Sequence, residues 1–426
     1  MNNKIILCLL IALALWFIAS CKNTEASKNP NDNEEIIIEN LYFFRTSHGG
    51  NFNAGYAGNV KGPVKINPVS KTASYICIDP LCDHIKDCPL FDSSGFYVAG
   101  NYLFFTKGGV GISVQTGDKI GGPVDFCVYD MLKGSVRKLA EYWDNMQILN
   151  RAGNYLYYSM YDVLQYEKDG QVDYIIYRAD AKTGNIIIID RYLLNNDVTK
   201  AWGEYPELFM IIDNKIYWRN FEYEENKFFI YTTNLDGKDK KTIDITGNQN
   251  KFINSKYNNG YFYQLEIKIK IEEILELSGY ERERAVRDLN LYRISFNSEK
   301  SKDSEIIAEH IMFFVPHGDK IYYTVLEDNP ELIEYNGEQT YNWSGGKVYI
   351  MNIDGKDKRL LCETGYNLND GFMDARTIDG VDYLAFAFNS VWENSFSDSG
   401  YSYGLSTDTL IINASTGEYT VVSVPE

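Results

Sequence analysis

The 426 residues carry 41 Lys plus Arg against 59 Asp plus Glu, a net charge of −18. That field argues against nucleic acid or an anionic lipid surface as a partner. Hydrophobic residues make up 45% and aromatics 15%, with 34 Tyr and 22 Phe, which excludes a disordered chain and favours strands.

Met1–Lys4 is a short basic start, and Ile5–Ala19 is uncharged and apolar. The run is short for a membrane span and suits the core of a signal peptide. It ends in Ile18-Ala19-Ser20-Cys21, which resembles a bacterial lipobox. The resemblance implies cleavage before Cys21, lipidation of its thiol and a place on the extracytoplasmic face of the cell membrane. The other reading is an uncleaved apolar anchor with an incidental Cys. Residues 1–20 are thus expected to be a lipoprotein signal peptide. Residues 21–34, rich in Asn, Glu and Lys, are expected to be a flexible tether, and residues 35–426 the folded part. Cleavage removes Lys4 and no acidic residue, so membrane attachment falls to the lipid and not to a basic patch.

Two motifs recur in alternation along the folded part. One is a polar residue followed by an aromatic run: Asn40-Leu-Tyr-Phe-Phe, Asn101-Tyr-Leu-Phe-Phe, Asn154-Tyr-Leu-Tyr-Tyr and Asn214-Lys-Ile-Tyr-Trp. It continues at Asn259-Gly-Tyr-Phe-Tyr, Asp319-Lys-Ile-Tyr-Tyr and Asp382-Tyr-Leu-Ala-Phe. The other is a short strand pattern leading to a turn, anchored at Tyr75, Cys127, Tyr177, Tyr231, Tyr292, Tyr349 and Leu410. Its clearest copies are Tyr231-Thr-Thr-Asn-Leu-Asp-Gly-Lys-Asp-Lys and Tyr349-Ile-Met-Asn-Ile-Asp-Gly-Lys-Asp-Lys. Asp236-Gly237, Asp354-Gly355 and Thr183-Gly184 read as hairpin turns. An apolar stretch precedes each polar turn and another strand follows each anchor. That gives four strands in about 50–60 residues, the size of a propeller blade with its loops.

The expected fold is therefore all-β: a single β-propeller of seven four-stranded blades, with six or eight blades, or two β-sandwiches, as alternatives. The pattern resembles the TolB-like and LDL-receptor-related propellers found in lipoproteins of Gram-positive bacteria, a resemblance that implies the fold and no activity. Ile271-Glu-Glu-Ile-Leu-Glu-Leu277 and the charged, Pro-free 281–290 predict two short helices inserted in the fifth blade, broken at Ser278-Gly279.

Strands that run alternately up and down put every second-to-third connection on one face. Those connections are long: 46–72, 107–124, 160–172, 265–290, 325–346 and 387–407. Long loops on a rigid scaffold are where binding is usually placed. Two of them carry aromatics among polar residues, Tyr341 and Trp343 in one, Trp392, Tyr401 and Tyr403 in the other. Flat rings beside amides suit a glycan or a peptide, although the same rings also pack loops onto blades.

Signs of catalysis are sparse. Gly400-Tyr-Ser402-Tyr-Gly404 matches a nucleophile elbow, but it lies in a β repeat and no His follows it. His48, His84, His310 and His317 form no metalloprotease motif, and no phosphate-binding loop or dinucleotide fingerprint occurs. Asp213, Asp319 and Asp374 lie near the ends of first strands, where a glycan hydrolase or lyase would need paired carboxylates. The preferred reading is a non-catalytic module that binds an unknown protein or glycan through its long-loop face. One cluster stands apart: Cys77, Cys82, His84 and Cys88, placed where the first blade should make its outer strand. Three thiolates and an imidazole are a full ligand set for structural zinc. A disulfide with a spare thiol, or free thiols, remain open. Cys127 and Cys362 read as strand residues.

Overall fold

The computed structural model describes residues 37–46, 63–79, 81–82, 88–90, 93–108, 123–142, 146–162, 172–194, 208–222, 227–244, 253–295, 304–335, 338–366, 368, 373–387, 395–397, 400–402 and 409–423. The residues from Ile38 to Glu426 belong to one compact unit. This unit is built of antiparallel meanders in chain order.

A single 3-10 turn, Ile38–Asn40, opens it. β1 (Phe43–Thr46), β2 (Pro63–Asn67) and β3 (Thr72–Tyr75) form a three-stranded first sheet. β4 (Ser93–Ala99), β5 (Tyr102–Gly108), β6 (Val124–Asp130) and β7 (Ser135–Tyr142) form the second. β8 (Gln147–Ala152), β9 (Tyr155–Asp162), β10 (Val172–Asp180) and β11 (Ile186–Leu194) form the third. β12 (Leu208–Ile212), β13 (Lys215–Glu222), β14 (Lys227–Asn234) and β15 (Lys241–Asp244) form the fourth.

The fifth sheet has seven strands because one long strand belongs to two meanders. β16 (Ile253–Asn258), β17 (Tyr261–Ile267) and β18 (Leu289–Ser295) lead to β19 (Ser304–His317), whose first half pairs with β18. Its second half pairs with β20 (Lys320–Val325). β21 (Glu331–Tyr335) and β22 (Glu338–Asn342) form a separate hairpin, before β23 (Lys347–Asn352) and β24 (Arg359–Glu363) complete the sheet. β25 (Met373–Ile378) and β26 (Val381–Ala387) precede a second hairpin, β27 (Ser395–Ser397) and β28 (Gly400–Ser402). β29 (Thr409–Asn413) and β30 (Tyr419–Val422) finish the last four-stranded sheet.

The aromatic runs are second strands, and their side chains explain the runs. On β5, Leu103 and Phe105 pack towards the first sheet and Phe104 towards the third. On β9, Leu156 and Tyr158 pack towards the second sheet and Tyr157 towards the fourth. A strand buried on both faces needs apolar residues at every position, not at alternate ones. Each such ring contributes about 1.5–3 kcal/mol by leaving water. The fourth sheet meets β16 and β17 through Met210 and Tyr217 against Tyr257 and Phe262. The seam inside the fifth sheet joins Leu265 and Leu291 to Ile321 and Met351. Tyr322 and Ile350 meet Leu384 and Phe386 of the last sheet. The last sheet then packs on the first, with Ala385, Ile411 and Val422 against Phe43 and Ile66. Meanders stacked face to face in series, the last returning to the first, make the fold a β-propeller.

Turn chemistry separates the two edges of the sheets. The first-to-second turns are tight. Asp213-Asn214, Asn259-Gly260 and Asp379-Gly380 have positive φ at both central residues, as two-residue hairpins of matching twist require. The described third-to-fourth turns are also short and locally bonded. Asp130 Oδ1 accepts from Leu132 and Lys133 N–H, Asp180 Oδ1 from Lys182 and Thr183, and Asn413 Oδ1 from Ser415 and Thr416. The glycine in this turn leans on the preceding meander: a Cβ on Gly237 would lie 2.5 Å from the Ile189 carbonyl oxygen. On the opposite edge lie the second-to-third connections, with the two hairpins and two helices, α1 (Ile271–Glu276) and α2 (Gly279–Arg287). The second helix begins at Gly279, inside the expected break, and ends where β18 starts.

The first sheet departs from expectation. Asn67 Oδ1 accepts from Val69 and Ser70 N–H, the same bonds that mark the third-to-fourth turns elsewhere. β2 is thus the third strand of its meander, and Tyr75, paired with Val64, lies on the fourth strand and not on the third. The outer strand, expected to be replaced by the thiol-rich loop, exists as β3. Asn67-Pro68 is itself a turn signal, but the apolar Tyr75-Ile-Cys-Ile run outweighed it.

Candidate functional site

The thiol segment continues directly from β3. Ile76 is buried and donates its N–H to the Pro63 carbonyl (3.0 Å). Ile78 N–H donates to the Tyr129 hydroxyl oxygen on β6 (3.1 Å). Asp79 then folds the chain back: its carbonyl accepts from Cys82 N–H (3.1 Å), and its Oδ1 from Leu81 N–H (2.9 Å). Aspartate bonding its own backbone two residues on is the ordinary chemistry of such a turn. Cys88 returns fully buried beside Leu90 in the cluster between the first and second sheets.

The Sγ atoms of Cys77, Cys82 and Cys88 all lie within 4.8 Å of one another. Burial raises the thiol pKa of Cys77 and pushes that of Cys88 up to about 12. Tyr129, against the same cluster, is also pushed up to about 12, chiefly by burial. His84, the fourth residue of the expected ligand set, lies outside the described residues. Cys127 is buried on β6 and Cys362 half-buried on β24, and neither belongs to the trio.

Of the aromatic loop residues, the two whose side chains are described pack inward. Trp343 is 0% exposed. Its ring stacks on Tyr280 of α2 (centroids 5.1 Å apart) and tilts against Tyr341 (5.2 Å), over Met312 and Leu326. The expectation that Trp343 faces a ligand is therefore corrected: it fastens the helical excursion to β19 and β20. Tyr341, in ring contact with Tyr280 at 4.9 Å, shares that work. Trp392, Tyr403 and the side chain of Tyr401 lie outside the described residues.

The three aspartates considered for catalysis are all engaged or in turns. Asp213 occupies a tight turn. Asp319 has a 79% exposed side chain and pairs with Lys320 (3.2 Å). Asp374, on β25, pairs with Arg376 (3.3 Å). Across the inner strands, Lys256 of β16 has its pKa lowered by burial, with the Asp374 carboxylate pulling the other way.

Polar seams that the sequence reading did not single out join successive meanders. Tyr157 and Arg178 both donate to the Leu235 carbonyl of the next sheet, and Tyr263 and Arg293 both donate to that of Ile353. The signal was present as the Tyr-Arg pairs at 177–178 and 292–293. Asp382 accepts from the Tyr322 and Thr377 hydroxyls (3.1 and 2.6 Å), with His317 Nε2 at 3.5 Å. Glu39 joins several elements: its carboxylate pairs with Arg151 (2.9 Å) and accepts from Gly100 N–H (2.7 Å), while its carbonyl accepts from Arg376. No helix among the described residues is long and apolar enough to cross a membrane.

No family model and no curated protein matches the chain. Among solved structures it is similar to the β-propeller domain of the Trilobed protease from Pyrococcus furiosus, at 13% identity and a TM-score of 0.41, covering 78% of this chain and 83% of that one. It is similar to TolB from Acinetobacter baumannii at 12% identity and TM-score 0.32, covering 71% and 63%. Oligogalacturonate lyase from Vibrio parahaemolyticus gives 10% identity and TM-score 0.41, covering 89% and 96%.

Proposed function

We propose that this protein is a lipid-anchored, extracytoplasmic propeller of seven blades that binds a protein or glycan through its long-loop face and performs no chemistry. The blade count follows if β19 is divided between two blades and the three-stranded first sheet is counted as one. The observation that carries the binding reading is the difference between the two edges. Among the described residues, the turns on one edge are tight, several with positive-φ backbone. The other gathers the long connections, including two helices and two hairpins. Insertions concentrated on one edge of a rigid scaffold supply a surface that varies without disturbing the core. The engaged states of Asp319 and Asp374 weigh against a hydrolase or lyase working from them.

The test is a glycan and peptide array probed with the purified chain. Trp392→Ala, Tyr401→Ala and Tyr403→Ala together should weaken the strongest binding by tenfold or more, about 1.4 kcal/mol. Lys215→Ala, at a tight turn on the other edge, should leave it unchanged. Turnover of an array glycan, or binding sensitive only to the tight-turn variant, would overturn the reading. The anchor is tested by Cys21→Ser, which should release the chain from membranes or hold it as precursor. Fatty acid still incorporated into that variant would refute lipidation at Cys21.

A further inference from the structure

We infer that Cys77, Cys82 and Cys88 bind one Zn²⁺ ion as thiolates, and that this ion fixes the pad on which the second sheet docks. The three sulfurs are held by different means. Cys77 follows the buried Ile76, Cys82 is brought back by the Asp79 turn, and Cys88 is sunk in the cluster shared by the two sheets. That three side chains of one short segment converge within 4.8 Å is what a common ligand requires. Tetrahedral zinc with Zn–S of about 2.3 Å sets sulfur pairs about 3.8 Å apart, so each pair closes by about 1 Å at most. A disulfide uses two sulfurs at about 2.05 Å and leaves the third without a role.

The ion's place in the fold gives it a purpose. In the other meanders the turn glycine presses on the outer strand before it: Gly237 on Ile189, Gly355 on Ile307 and Gly417 on Leu361. In the second sheet, Gly134 presses on Ile78, with the nearest contact to an added Cβ at 3.0 Å. Ile78 is past the end of β3, flanked by Cys77 and the Asp79 turn, so it has no strand partner to hold it. A metal bound on both sides of Ile78 in sequence adds a restraint to the bond its N–H makes with the Tyr129 hydroxyl. Binding exchanges three S–H protons for the cation's charge, which lets the thiolates exist where burial otherwise opposes them.

The purified full chain, in detergent if its N-terminus retains it in membranes, should contain about one zinc per molecule by elemental analysis. Cobalt exchanged for zinc should show thiolate-to-Co²⁺ charge-transfer absorption and tetrahedral ligand-field bands, a readout that needs no variant. Cys77→Ser, Cys82→Ser and Cys88→Ser should each lose most of the metal, while Cys127→Ser and Cys362→Ser keep it. Absence of metal with two additional thiols appearing only after reduction would overturn the proposal in favour of a disulfide. Absence of metal with every thiol already free would overturn it as well, as would metal retained by all three ligand variants.

Discussion

Trp343 separates packing from binding on the long-loop edge. Replacing it with Ala removes a ring that is fully buried between α2 and the β19–β20 pair. Truncating a core Trp to Ala costs about 3–5 kcal/mol, from lost transfer energy and the cavity left behind. The rigid strand floor of Met312 and Leu326 limits collapse, which places the expected loss in the upper part of that range. Trp343→Phe is the informative partner. The indole Nε1 makes no hydrogen bond among the described residues, so Phe sacrifices no such contact and only part of the volume, about 1–2 kcal/mol. Urea titration of the three proteins should give midpoints ordered wild type, Phe, Ala. Limited proteolysis should cut the 271–287 segment fastest in the Ala variant, because α2 loses its dock. If Trp343→Ala unfolds at the wild-type midpoint yet loses ligand binding, the ring is a recognition residue and the packing account is wrong.

Three further outcomes follow from the seams and turns. Glu39→Gln should lower stability by about 1–2 kcal/mol in chemical denaturation, since a charge-assisted pair to Arg151 becomes a neutral one; no change would mean the contact is idle. Gly237→Ala places a Cβ at φ +80° against a backbone oxygen and should cost about 2 kcal/mol or more. Gly153→Ala, at φ +55° in open space, should cost about 1 kcal/mol; equal losses would remove the case for close approach. Burial raises the phenol pKa of Tyr97, Tyr142 and Tyr157 from 10.0 to about 12. A folded pKa above the unfolded one gives stability that is whole below pH 10 and lost as pH climbs towards 12. Urea midpoints should therefore fall steeply across that interval, and Tyr142→Phe should make the fall shallower; an identical profile would refute the assignment.

The repeating strands were legible because their cause is local. A strand buried on both faces must be apolar throughout, and a two-residue hairpin must carry Gly, Asn or Asp; both leave marks at fixed spacing. Tyr75 misled for the same reason. Ile76 and Ile78 look like a third strand, but Ile76 is buried in the seam with Phe96, while Ile78 keeps an exposed side chain and meets Tyr129 through its N–H. The role of Trp343 was not legible, since an aromatic among Asn and Ser reads as a solvent-facing ring. Only the fold reveals that Tyr280, remote in sequence, covers it. The three cysteines were visible as a group because they are close in sequence, and the fold adds that their sulfurs converge.

The start of the folded unit is held at the edge of the tight turns. The folded unit begins at Ile38, whose N–H donates to Asn101 Oδ1 in the tight turn between β4 and β5. Glu39 N–H donates to the Gly100 carbonyl in the same turn, and its side chain reaches Arg151, two residues before the Gly153-Asn154 turn. Its carbonyl meets Arg376 near the Asp379-Gly380 turn. The chain therefore enters at the edge that carries the tight turns, held by elements of three sheets. The Glu39 contacts thus bind the start of the first meander to the second, third and last sheets.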